Sequence, residues 1–146
     1  MSQPKKWNLK IKKNRPSSVR AGGIATIATY TLDRDYVHTY DVNHGYYTTR
    51  KVQPLGSVVA MDPITNKVVP NFTSYGFGEI GVTLKDADVT DVDQEIGVLI
   101  RGFVREEHCW DDGDYGSVIA ATKTALAGRV EFVKISNRGL KTIHGK

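Results

Sequence analysis

The stretch that decides the fold is Leu55-Gly-Ser-Val-Val-Ala-Met-Asp-Pro-Ile-Thr-Asn-Lys-Val-Val-Pro70. Its first half, SVVAM (57–61), is an apolar, β-branched run. Asp62-Pro63 opens a turn, and Lys67-Val68-Val69 resumes an extended segment. This reads as a short β-hairpin. Outward from it the same character repeats. Downstream, Ile80, Val82 and Leu84 alternate, and Ile96, Val98 and Ile100 alternate again in a segment apolar enough for a central strand. Upstream, IATIATYTL (24–32) is β-branched and apolar. Tyr36, His38, Tyr40 and Val42 share one face at period two, Asn43-His44-Gly45 reads as a turn, and Tyr46 to Thr49 as the returning strand. Arg129–Ile135 closes the series.

The one helix expected is Ser117–Leu126. Val118, Ala121, Thr122 and Ala125 fall on one face, Ser117 is placed to cap its start and Gly128 to end it. Seven to nine short strands with one short helix give a mainly β, β-rich α+β domain. The 146 residues suffice for one domain and one sizeable core. Hydrophobic residues at 40% and charged residues at 25% are a soluble globular composition. No apolar run approaches the roughly 20 residues of a membrane span, and the basic start MSQPKKWNLKIKKNRP lacks the apolar core of a secretory signal.

Charge divides the chain. Residues 1–32 carry seven bases and no acid, 33–133 carry nine bases and all sixteen acids, and 134–146 carry four bases and no acid. Two basic ends flank an acidic body. Residues 1–23 read as a basic N-terminal arm, 24–135 as the β-rich domain and 136–146 as a basic tail. Within the arm Trp7, Leu9 and Ile11 alternate with Asn8, Lys10 and Lys12, a strand pattern able to add to a partner's sheet edge or to its own domain. Such an arm suits nucleic acid, an acidic protein partner or the acidic body of a neighbouring copy. Alternatively it is a solvated tail. The acidic body argues against nucleic acid lying across the domain, so a nucleic-acid-binding β-domain is the alternative function, and a membrane partner is not expected.

Little in the sequence suggests catalysis. Asp86, Asp88, Asp91, Asp93 and Glu95 form an acidic stretch without the EF-hand order, so a solvated loop is expected. Asp111-Asp112-Gly113-Asp114 reads as a turn. His38, His44, His108 and His144 lack metal-ligand spacing. The lone cysteine, Cys109, excludes an internal disulfide and reads as a packing residue. GxSxG, P-loop and HExxH motifs are absent. Gly76-Phe77-Gly78-Glu79-Ile80-Gly81 has GxGxxG spacing, but Gly76 and Gly78 read as turn glycines rather than a phosphate cradle. No enzyme, metal or cofactor is expected. The tyrosines Tyr30, Tyr36, Tyr40, Tyr46 and Tyr47 could stack on bases, but Asp33, Asp35 and Asp41 beside them favour packing or a protein interface.

Taken in order, four segments resemble the head decoration proteins of tailed phages, the family of the lambda head decoration protein. They are the 55–70 hairpin, Gly81-Val82-Thr83-Leu84 after a loop, Gly102 to Glu107 with Trp110, and Thr124 to Val133. The resemblance covers roughly residues 52–134. Residues 1–50 have no clear counterpart, and the last dozen run past the family's usual end. The resemblance implies a homotrimer with a small β-barrel or β-tulip-like body, one short helix and an extended N-terminal arm. It implies a virion protein on the capsid exterior, made in the host cytoplasm. There it binds the major capsid protein of an expanded head at three-fold and quasi-three-fold sites and clamps capsomers against internal DNA pressure. On this reading Trp7, Leu9 and Ile11 anchor the arm, and Lys5, Lys6, Lys10, Lys12, Lys13 and Arg15 complement the shell's charge. Tyr40, Tyr46, Tyr47, Phe103 and Trp110 are assigned to the trimer or capsid interface, with core packing the competing expectation for the last two.

Overall fold

The computed structural model describes residues 18–37 and 50–134. In chain order the strands are β1 (Thr26–Leu32), β2 (Val52–Gln53), β3 (Val58–Met61), β4 (Val68–Pro70), β5 (Gly78–Thr83), β6 (Ala87–Asp88), β7 (Gln94–Arg105), β8 (Trp110–Asp111), β9 (Asp114–Tyr115) and β10 (Val130–Val133). One helix, α1 (Ala120–Leu126), precedes β10. The domain is mainly β, and its centre is a closed five-stranded barrel in the order β1-β4-β3-β5-β7, with β7 pairing back onto β1. The 55–70 hairpin forms as expected, Met61 facing Val68 across it. The Asp62 carboxylate accepts the Ile64 amide at 2.9 Å and Asn66 takes the left-handed conformation that closes the turn.

Strand β7 is long because it serves three neighbours. It runs antiparallel to β1 and β5 with its first half, then parallel to β10 with its second. The change falls at Gly102, whose φ of 142° favours glycine, and a Cβ there would lie 3.2 Å from the Ala25 Cβ. β10 is thereby the outermost strand of the sheet.

Two apolar clusters result. One comprises Leu32, Val59, Val68, Ile96 and Val98, with Tyr30, Met61, Ile80 and Ile100 against it. All five barrel strands contribute to it, so it fills the barrel. The other joins Val58, Val82, Leu99 and Val104, on the outer wall, to Val19, Cys109, Val118, Leu126 and Val130. The alternation of Ile96, Val98 and Ile100 thus points into the barrel as expected, while Leu99 between them is buried by the cover outside.

Four expectations are corrected. The alternation of Ile80, Val82 and Leu84 does not lie on one face. The β3–β5 register passes from Val59↔Gly81 to Ala60↔Glu79, and Ile80 is the extra residue of a bulge that sends it to the inner cluster. The helix starts at Ala120 rather than Ser117. Residues before it stay extended because the Val118 and Ile119 amides donate to the carboxylates of Glu106 (2.9 Å) and Asp111 (3.1 Å). Its buried residues are Thr122 and Leu126, below the buried Val118 of the extended lead-in, with Ala121 and Ala125 exposed. Tyr36 belongs to a 3-10 turn, Arg34–Tyr36, rather than to a strand, because the Asp33 carboxylate accepts the Asp35 amide and bends the chain. Finally, the arm expected over 1–23 is already part of the body at Val19, which is fully buried. The rest of the tyrosine hairpin, including His38 to Thr49, lies outside the described residues, as do 1–17 and the tail.

Candidate interaction surface

From Val19 to Ala21 the chain is fixed by backbone bonds to the end of β7. Arg105 N–H donates to the Val19 carbonyl at 2.8 Å, and Ala21 N–H donates to the Phe103 carbonyl at 3.0 Å. Arg20 pairs antiparallel with Val104. Val19 occupies the outer cluster, so burial and strand pairing together anchor this root. Gly22 and Gly23 then take φ of 93° and 77° to turn the chain into β1. The Arg20 guanidinium closes that turn on the Gly23 carbonyl at 2.8 Å. A Cβ on Gly23 would sit 3.6 Å from the Phe103 ring. Ile24, 95% exposed, follows immediately, and Phe103 itself is 46% exposed. The 19–23 segment is therefore flanked by apolar surface, and Phe103 is a surface residue rather than a core one.

Trp110 lies elsewhere. It is half-buried in the β8–β9 hairpin, its ring 4.7 Å from that of Tyr115. Its amide donates to the Gly56 carbonyl at 2.8 Å. Asp112 and Gly113, both with positive φ, form the turn read from Asp111 to Asp114. The other assigned residues lie outside the described residues: Lys5, Lys6, Trp7, Leu9, Lys10, Ile11, Lys12, Lys13 and Arg15 of the arm, and Tyr40, Tyr46 and Tyr47 of the hairpin.

The acidic stretch is a set of tie points rather than a solvated loop. Asp86 accepts the Leu55 amide at 2.7 Å. Asp88 accepts the Thr90 amide and hydroxyl and pairs with Arg50. Asp93 accepts the Arg34 amide at 2.9 Å and the Lys67 ammonium at 2.7 Å. The Lys67 contact holds Asp93 below the usual carboxylate range and raises Lys67 in turn. The Arg34 guanidinium donates to the carbonyls of Val89 and Thr90, stapling this loop to the end of β1. Asp86, Asp91 and Glu95 are exposed, and Asp88 and Asp93 are half-buried. No group of three or more His, Cys, Asp or Glu side chains suited to a metal occurs among the described residues. Cys109 is buried as expected, and burial pushes its thiol far above the ordinary range, so it is not a thiolate nucleophile at neutral pH.

Two surface features were not legible in the sequence. Tyr36, Phe72, Tyr75 and Phe77 form an aromatic group with ring centroids 5.4–6.2 Å apart, joining the Arg34–Tyr36 turn to the β4–β5 connection. An open groove of about 610 Å³ runs over the barrel wall beside Ile27, Leu84, Ile96 and Gly97, with Asp86, Asp88, Glu95 and Lys85 on its rim. Both bring together residues more than thirty positions apart, for which no local periodicity exists. No helix among the described residues is long and apolar enough to cross a membrane. In comparisons with known proteins, no protein-family model matches this chain and no curated protein is significantly similar to it.

Proposed function

We propose that this protein is a capsid cement. It binds the outside of an expanded phage head as a homotrimer, at three-fold and quasi-three-fold sites, and ties adjacent subunits of the major capsid protein against internal DNA pressure. The observation that carries the reading is where the four family-like segments meet. Val58 of the hairpin, Val82 of β5, Val104 of β7, and Leu126 and Val130 of the helix–strand end all converge on the outer cluster. Segments that resemble one family in order are thus one packed unit, and Val19, the root of the arm, is seated in the same unit. A rigid root suits an arm that orders on docking. The arm loses conformational entropy when it binds, and three arms on one trimer offset this through effective concentration. Ile24 and Phe103 beside the root supply apolar contact area.

The test is co-sedimentation of purified protein with expanded empty heads of its own phage, followed by imaging of the pellet. Density over three-fold positions is expected. Deletion of residues 1–17, which spares Val19, is expected to weaken binding at least tenfold. Absence of co-sedimentation by the intact protein overturns the reading. A salt-sensitive shift of an oligonucleotide by the same preparation would replace it with the nucleic-acid alternative.

A further inference from the structure

The groove over Gly97 and the basic arm are complementary in apolar pattern and in charge. The floor of the groove is apolar. Ile27 is 49% exposed, Leu84 is half-buried beside it, and Gly97 contributes depth by having no side chain. Three carboxylates, Asp86, Asp88 and Glu95, and one ammonium, Lys85, line the rim, with Asp88 already paired to Arg50, so Asp86 and Glu95 leave the rim acidic. Residues 5–13 of the arm, KKWNLKIKK, have the matching pattern. In extended form Trp7, Leu9 and Ile11 share one face, with Lys5 and Lys13 at its two ends.

We propose that this groove receives residues 7–11 of the arm of a second copy of this chain. The direction of the chain selects the neighbour's arm over its own. Arg20 pairs antiparallel with Val104, and Val19 bonds Arg105, so the chain before Val19 leaves past the C-terminal end of β7. The groove lies at the other end of β7, beside Gln94–Gly97. Val104 and Gly97 are separated by seven strand residues, roughly 23 Å. The eight residues from Val19 back to Ile11 span at most about 28 Å, which leaves no length for reversing direction and seating the triad. A neighbouring copy meets no such limit. Docking covers Trp7, Leu9 and Ile11 before any shell is met, and places an arm of high positive charge on an acidic body. The proposal does not depend on the capsid reading and is tested without capsids.

Full-length protein carrying Leu9→Cys is mixed with full-length protein carrying Glu95→Cys under mild oxidation. The native Cys109 is buried and stays out of the reaction. Disulfide-linked dimer is expected to form at least tenfold faster than in a mixture with Ser74→Cys, an exposed control on the 3-10 turn Thr73–Tyr75. Adding Gly97→Leu to the Glu95→Cys copy is expected to bring the rate down to that of the control. Its Cβ meets Ile27 at an ordinary 3.5 Å, so the substitution fills the groove without breaking the wall. Equal rates at Glu95→Cys and Ser74→Cys overturn the docking site. In a chain carrying both Leu9→Cys and Glu95→Cys, an internal bond in place of the linked dimer overturns the assignment to a second copy.

Discussion

The inside of the barrel and the cover on its outer wall are both apolar cores, but they are held differently. The inner cluster is aliphatic side chains at alternate strand positions, brought together by closure of the sheet. The outer cluster is bounded by buried polar clamps. Asn71 donates to the Asp111 carboxylate at 2.8 Å and to the Thr122 hydroxyl at 3.1 Å, all three residues being buried. Asp111 also accepts the Ile119 amide, and Glu106 accepts the Val118 amide and the Lys123 ammonium. The lesson is one of length. A 12-residue strand closes a barrel by hydrogen bonding along its edges, whereas a seven-residue helix is too short to hold itself and needs charged acceptors where it begins.

The sharpest way to break this contrast is at the wall between the two clusters. A Cβ on Gly81 would lie 2.1 Å from the Leu99 carbonyl oxygen and 2.8 Å from Val98 Cγ1. Gly81→Ala is expected to cost at least about 3 kcal/mol in urea unfolding. Gly78→Ala on the same strand, with open space around it, is expected to stay within about 0.5 kcal/mol of wild type. Similar costs for the two would show that the wall has slack.

Next in size, Leu32→Ala and Leu126→Ala are each expected to lose about 3 kcal/mol, since both side chains are fully buried. Hydrogen exchange separates them. Leu126→Ala is expected to speed exchange in α1 and β10 while β1 and β3 keep their protection, because the cover opens without the barrel. Loss of protection throughout would make barrel and cover one cooperative unit.

Asp111→Ala is expected to cost about 2 kcal/mol by thermal unfolding, since it strips the Ile119 amide and one Asn71 donor of a charged acceptor in a buried site. The smallest effect is on the acid side. Burial opposes the charge on Glu106, but the Val118 amide and the Lys123 ammonium outweigh it and hold its carboxyl below the usual range. The native state therefore binds this proton less readily than the unfolded chain. The stabilisation is present above the ordinary carboxylate range of about 4.3 and disappears as pH falls through the lower native value. Glu106→Gln is expected to flatten the fall in melting temperature below about pH 4.5. An unchanged acid limb in that variant would remove Glu106 from the clamp.

The barrel was readable where side chains alternate and turns carry their own chemistry. SVVAM, KVV and the run from Ile96 to Ile100 supplied wall strands, and Asp62 opened the turn between the first two. The reading failed where a distant partner changes a local rule. Nothing near Ile80 announces a bulge, because the extra residue is defined by β3 across the ladder. Ser117 looks like a helix cap until Glu106 and Asp111 take the following amides. Of the candidate surface, the exposure of Phe103 and its place at the arm root depend on Gly22 and Gly23 turning the chain beside it, and the groove depends on Gly97 lying next to Ile27.

By itself the sequence determined that this chain is mainly β, that its charge is split between basic ends and an acidic body, and that Cys109 packs rather than reacts. These follow from properties carried by each residue: volume, branching, charge and period. Only the tertiary structure decided that the strands close into a barrel, that the cover is clamped by buried carboxylates, and that Val19 is packed into the outer cluster. Those outcomes depend on which distant segments meet, and pairing energy between them is written in no single stretch of the chain.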